Sequence, residues 1–374
     1  YKWKALIMAN TNNNKSLNVP ILRFPEFTDE WKRSSLGEVT TFVKERIGAD
    51  KLTRNNYVST ENMNPDFGGI NQASSVPNNT NVIHYQKGDV LLSNIRPYLR
   101  KVWAASSDGG CSADVFVFRA KSISSSFLHY IMANDTFINY VMSGAKGVKM
   151  PRGDKEQILK YIFSTPNIEE QNKISHLLHL LDERISTQNK IIGDLKKLKS
   201  AIVDKLMTPQ KEWKSTKIGN VLSIGSGRDY KHLEDGNIPV YGTGGYMLSV
   251  DSYLYDGESV CIGRKGTINK PIFLKGKFWT VDTLFYTHTF RSITPRFCYY
   301  LFTTIDWLKY NEASGVPSLS KVAIENISIS IPDLVTQKQI CAVLDSMTDK
   351  LDIEQKSLDA YRAQKQYLLQ QMFI

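Results

Sequence analysis

Cysteine is scarce: Cys111, Cys261, Cys298 and Cys341 are the only four in 374 residues, with no paired spacing and no Cys-x-x-Cys. That argues against a disulfide framework or a zinc ribbon and for reduced, intracellular thiols. No apolar run approaches the ~20 residues of a membrane span, and no secretory signal is visible. Phosphate-binding glycine loops are missing too. There is no Walker A pattern, and Gly242-Thr243-Gly244-Gly245 lacks the strand–turn–helix setting of a nucleotide site, so ATP use by this chain is not expected. Asn64-Pro65-Asp66-Phe67 lacks the second proline of the motif with which amino-methyltransferases hold a flipped base. Glu30-Trp31-Lys32 and Glu212-Trp213-Lys214 match part of a nuclease motif without its aspartates. His176 and His179, three apart on a helical pattern, lack a third ligand. Neither catalysis nor a metal centre is indicated.

What is present is a repeat. Glu30-Trp31-Lys32 followed by Leu36-Gly37 returns as Glu212-Trp213-Lys214 followed by Ile218-Gly219, and Pro166–Ile174 returns as Pro332–Ile340. Between these anchors the halves barely agree, which suggests one scaffold presenting two different reading heads. The net charge is +10 and is unevenly placed. Residues 31–166 carry 17 Lys and Arg against 11 Asp and Glu, and residues 213–332 carry 13 against 10, whereas 167–212 and 333–374 are nearly neutral. The excess sits on the two variable units and fits a polyanionic partner.

The expected architecture is α+β and mostly sheet, in two units. Residues 1–18 read as a disordered lead in which Met8 is a natural start and Tyr1–Ile7 a cloning remnant or upstream extension. The first variable domain is 19–166, a helix and linker 167–212, the second variable domain 213–332 and a closing helix 333–374. Strands are expected at Val39–Val43, Asp89–Ser93, Asp114–Phe118 and Ile158–Ser164, then at Asn220–Ile224, Ser259–Ile262, Lys270–Leu274, Asp282–Thr287 and Ile327–Ile331. Helices are expected over Phe127–Val141 and Arg296–Tyr310.

The clearest pattern is a heptad seam over about Glu169–Met207: Ile174, Leu178, Leu181, Ile185, Gln188, Ile192, Leu195, Leu198, Ile202 and Leu206, a helix about 58 Å long. A second seam runs through Ile340, Leu344, Met347, Leu351, Glu354, Leu358, Tyr361, Lys365, Leu368 and Met372. The polar residues Gln188 and Glu354 hold the same place in each, a position that commonly fixes register. Two such helices are expected to pack as an antiparallel coiled coil, placing the heads at opposite ends of a rod. The alternative is that each packs as one apolar stripe on its own domain.

Two pairs of basic loops are the candidate site. After a strand in the first unit come Asn94, Arg96, Tyr98, Arg100 and Lys101. The equivalent place in the second unit, after Gly257-Glu258 (matching Gly88-Asp89), holds Arg264, Lys265, Thr267, Asn269 and Lys270. Arg forks address guanine edges, Asn addresses adenine, and Lys serves phosphates. A second loop in each unit, Gly144–Arg152 with Lys149 and Arg152, and Ser314–Lys321 with Ser318 and Lys321, follows a helix. Basic surface loops are commonplace, but matched placement in both repeats favours function.

On this plan of variable unit, heptad helix, variable unit, heptad helix, the chain resembles the specificity subunit of type I restriction–modification systems. The Pro166-x-x-x-Glu170-Gln171-x-x-Ile174 opening, Leu181-Asp182-x-x-Ile185, the Gly88-Asp89-Val90-Leu91 strand start and the Trp31 and Trp213 starts are similar to the family's. The second copy departs from it, with Thr336 for the Glu and Thr348 for the Asp. The resemblance implies a cytoplasmic, non-catalytic protein whose variable domains each read one half of a split site in double-stranded DNA. The helices would set the spacer and dock two methyltransferase subunits, then motor-nuclease (restriction) subunits. S-adenosylmethionine, ATP and magnesium would belong to those partners and not to this chain. A coiled-coil scaffold with two protein-binding domains is the competing reading; a self-contained methyltransferase or nuclease is a further one, against which the missing cofactor loop argues.

Overall fold

A computed structural model describes residues 18–374 and the short strand Ile7–Met8. The expectations for the remaining leader residues lie outside the described ones. Two compact units emerge: the chain up to Thr187 together with Leu358–Ile374, and Gln188–Ser357.

In the first unit, one antiparallel sheet runs in the order Thr40–Phe42, Val115–Ala120, Val90–Ser93, Val102–Ala104. A second runs Arg46–Gly48, Asn81–Tyr85, Gly109–Cys111, Tyr57–Val58, its last pair parallel. Strand Lys32–Ser35 pairs with Ile162–Thr165. The expected helix over Phe127–Val141 is two helices, Ser125–Met132 and Asp135–Ser143. Asn134 breaks it by turning extended and accepting the Thr136 N–H with its side chain, as an Asn that competes with the helical backbone does. The strand expected from Ile158 begins at Ile162, because Asp154 caps a short helix, Lys155–Leu159, ahead of it.

The second unit is built on a six-stranded sheet ordered Ser223–Ser226, Leu284–His288, Tyr255–Gly263, Ile272–Thr280, Asp235–Gly242, Gly245–Val250. Strands Asp235–Gly242 and Gly245–Val250, a hairpin, had no counterpart in the sequence reading, and Gly242-Thr243-Gly244-Gly245 is its turn. The helix expected over Arg296–Tyr310 stops at Thr304, followed by a 3-10 turn Trp307–Tyr310. The Thr303 and Thr304 hydroxyls donate to the carbonyls of Tyr300 and Leu301, and Ile305 turns extended. In both units the strand expected after the Trp motif opens as one helical turn, Leu36–Val39 and Ile218–Val221.

The long helices are Ile168–Met207 and Leu334–Gln371. Both packing alternatives hold, on different stretches. Ile174, Leu178 and Leu181 enter the core of the first unit beside Leu368 and Met372, and Ile340 and Leu344 enter the core of the second. Elsewhere the helices pair antiparallel. Lys365 donates to Asp182 at 2.5 Å in the first unit. In the second, Gln188 donates to the Glu354 carbonyl at 3.0 Å and to its carboxylate, while Lys199 donates to Thr348 at 2.8 Å. Ile192 and Leu358 are buried seam residues, and Ile185, Leu195, Met347, Leu351 and Tyr361 are half-buried. Leu198 is a correction: it is 51% exposed, and Lys199 takes the inward place.

The repeat reappears as matched contacts. Trp31 meets Phe127 edge-on at 6.1 Å, and Trp213 meets Phe297 at 6.0 Å. The Gln171 amide accepts the Ser124 N–H and donates to the Pro166 carbonyl, both at 2.8 Å. Gln337 accepts the Thr294 N–H and donates to the carbonyls of Pro332 and Ser292, at 2.8–2.9 Å. The Glu-Gln and Thr-Gln pairs of the sequence therefore differ in role. The glutamine ties each long helix to its own head, while Glu170 forms an ion pair with Arg23 that the second unit lacks at Thr336.

Candidate nucleic-acid interface

In each unit the two basic loops separated in sequence are brought together by backbone hydrogen bonds. In the first, Asn94–Lys101 links strands Val90–Ser93 and Val102–Ala104 through a 3-10 turn at Pro97–Leu99. The Arg96 N–H donates to the Pro151 carbonyl at 2.8 Å, the Gly153 N–H donates to the Asn94 carbonyl, and Ile95 bridges Arg152. In the second, the Gly266 N–H donates to Pro317 and the Leu319 N–H to Arg264, each at 2.8 Å, and Lys265 bridges Ser318. Gly263 is required where that loop turns: a Cβ there would lie 2.2 Å from the Thr267 carbonyl oxygen.

The singled-out side chains divide into free and engaged ones. Arg96, Tyr98 and Lys149 are exposed, and beside Lys149 the Val148 side chain is fully so. Arg100 lies between Asp66 at 3.7 Å and Asp135 at 3.4 Å. Lys101 donates to the Thr60 carbonyl at 2.6 Å, and Arg152 pairs with Asp114 at 3.0 Å. Asn94 is turned inward, its Oδ1 buried without a partner and facing Gly153. Lys146, not singled out, pairs with Asp154 at 2.6 Å; that contact and the N–H groups Asp154 caps hold its carboxyl below the usual range.

In the second unit Arg264, Lys265, Asn269 and Lys270 are exposed and Thr267 is half-buried. Arg264, Lys265 and Lys321 line an open groove of about 700 Å³ together with Ser318, Asp282 and Glu312. The Arg264 guanidinium lies 5.9 Å from the Phe285 ring. Both sites thus offer cations on backbone-braced loops, an arrangement suited to phosphates and base edges. Among the described residues no cluster of His, Cys, Asp or Glu could hold a metal, His176 and His179 are exposed on the helix, and no helix is long and apolar enough to cross a membrane.

The family model of the type I restriction modification DNA specificity domain matches twice, over residues 28–197 and 210–360. The chain belongs to this family. Among its curated relatives is the specificity subunit of the type I restriction enzyme EcoDI of Escherichia coli, 32% identical over 90 residues, which are 24% of this chain and 20% of that protein. Another is the specificity subunit of the type I restriction enzyme MjaVIII of Methanocaldococcus jannaschii, 21% identical over 93% of this chain and 92% of that one. The first curated relatives it matches are spanned over about a third of their length or less. The S subunit of a type I restriction–modification system from M. genitalium shares the fold, with a TM-score of 0.67 at 17% identity, covering 95% of this chain and 99% of that one. The two specificity-domain matches fall one on each repeat, each reaching into a long helix.

Proposed function

We propose that this chain is the DNA-reading subunit of a type I restriction–modification complex, each unit reading one half of a split sequence. The observation that carries the reading is the shared construction of two unlike heads. Both present cations on two loops cross-braced by backbone hydrogen bonds, Arg96 to Pro151 in one and Gly266 to Pro317 in the other. Identical heads would read a palindrome; unlike heads on a repeated frame read an asymmetric site. Arg96, Tyr98 and Lys149 serve the first half-site, and Arg264, Lys265, Asn269, Lys270 and Lys321 the second. The paired helices set the unread spacer and dock two methyltransferase subunits and then the restriction subunits. The chain itself contributes no catalytic step: S-adenosylmethionine, ATP and magnesium are used by the partners.

The test is to co-express the chain with a methyltransferase subunit and map methylated adenines by single-molecule sequencing. One motif of two unlike halves with a fixed gap is expected. A well-formed complex that methylates nothing, and whose DNA affinity does not fall with salt, would overturn the reading in favour of a protein-binding scaffold.

A further inference from the structure

A third element, the loop that carries Asn64-Pro65-Asp66-Phe67, stands beside the two basic loops of the first unit. Residues 59–72 form a compact polar loop folded around Asn62, whose side chain is nearly buried. Asn62 accepts the Ser59 N–H at 2.7 Å and donates to the carbonyls of Tyr57 and Asn71. The loop is fastened to the basic loop at three points. The Asp66 N–H donates to Leu99 at 3.0 Å, the Phe67 N–H donates to Arg100 at 2.9 Å, and Lys101 donates to the Thr60 carbonyl at 2.6 Å. Of the seven non-glycine residues with positive φ among those described, four are at this junction: Asp66, Phe67, Arg96 and Arg100. Backbone held in that region is over-determined by its surroundings, and such strain gathers at working sites.

At the tip, Asn64 and Asn71 exchange amide hydrogen bonds at 2.9 and 3.2 Å. Asn64 spends its other N–H on the Gly68 carbonyl. Asn71 is exposed; its pair with Asn64 occupies the amide edge that carries a parallel donor and acceptor, and its remaining N–H is left to donate singly to an acceptor such as a purine N7 in the major groove. It stands on the rim of a cleft of about 590 Å³ that reaches Ser112 and Asp114. Asp114 in turn holds Arg152 of the second basic loop at 3.0 Å.

Resting on the DNA-reading function above, we propose that Asn71 is a base-reading, specificity-determining residue of the first unit, donating its free N–H to an acceptor on a purine edge. Asn64, Arg100 and Lys101 are positioning residues: Lys101 donates to the polar loop at the Thr60 carbonyl, and Arg100 is shared between that loop's Asp66 and Asp135. Phosphate contact is left to Lys149, and Arg96 addresses a base edge.

The experiment uses the complex with methyltransferase subunits, competition binding to duplexes varied one position at a time, and methylation mapping. Asn71→Ala is expected to lower discrimination about fivefold at one position of one half-site, leave the other half-site intact, and leave the salt dependence of binding unchanged. Lys101→Met is expected to blur the same position, again without change in salt slope. Wild-type complex that reads two half-sites while Asn71→Ala discriminates normally everywhere would overturn the proposal and leave the function standing. A salt slope reduced by about one in Lys101→Met would return that lysine to phosphate contact and overturn its positioning role. Wild-type complex with no sequence preference would sink the function and this proposal together.

Discussion

Replacing Glu170 by Ala should be among the most damaging single changes in the first unit. The Glu170 side chain is fully buried, and both its oxygens accept from the Arg23 guanidinium at 2.7 Å. Arg23 is itself only 7% exposed. Truncation therefore strands a desolvated cation with no partner, which costs about 3–5 kcal/mol, more than the pair itself contributes when intact. The Arg23→Met/Glu170→Leu double variant removes both charges and should recover most of that loss. Urea unfolding gives the free energies, and hydrogen exchange localises them. Faster exchange is expected over the start of the helix at Ile168 and not in Gln188–Ser357, where Thr336 replaces the glutamate and no such pair forms. A Glu170→Ala loss below about 1 kcal/mol, or a double variant as unstable as the single one, would refute the reasoning.

Arg96→Ala should cost about 1–3 kcal/mol of recognition at one half-site, read by competition binding; equal weakening on every sequence would make Arg96 a phosphate contact. Arg264→Ala should do the same at the other half-site. Burial, and secondarily Lys365, lowers the His129 imidazole to about 4. Because the unfolded chain takes up that proton more readily, stability should be flat above pH 7 and fall as pH drops from about 6.5 towards 4, by at most about 3 kcal/mol. A His129→Phe variant with the same acid slope in thermal melts would refute this. Burial pushes the Cys111 and Cys261 thiols up to about 12. Neither should react with a thiol reagent at pH 8 until the fold is opened in denaturant.

The frame was legible in the sequence because it is written in local, periodic terms. The heptad spacing from Ile174 to Leu206 and the paired Pro-x-x-x-x-Gln openings mark helix and helix start directly. Leu198 shows the limit: apolarity alone put it in the seam, whereas the packing phase turns it outward and brings Lys199 inward, half-buried and donating to Thr348. Breaks at Asn134 and Ile305 depend on side-chain hydrogen bonds that propensity does not weigh. At the interface, charge pattern located the loops but not their partners. Arg100, Lys101 and Arg152 read as free cations until Asp66, Thr60 and Asp114, distant in sequence, are seen beside them. The hairpin Asp235–Val250 was hidden by Gly, Pro and Asp residues that weaken a strand signal in a sheet where pairing decides the outcome.

The last turn of the second long helix bears on the order in which the protein can be made. Leu368 and Met372 lie in the core of the first unit, Phe373 stacks on Phe127 at 5.3 Å, and Ile374 accepts the Ser164 N–H at its carbonyl. The second unit, by contrast, is one uninterrupted stretch, Gln188–Ser357. On the ribosome the first unit must therefore wait, unfinished, for about ten to forty seconds while the rest of the chain is synthesised at ~5–20 residues per second. The unit that begins first is completed last, and an exposed apolar seat around Phe127 is what a chaperone would meet in the interval.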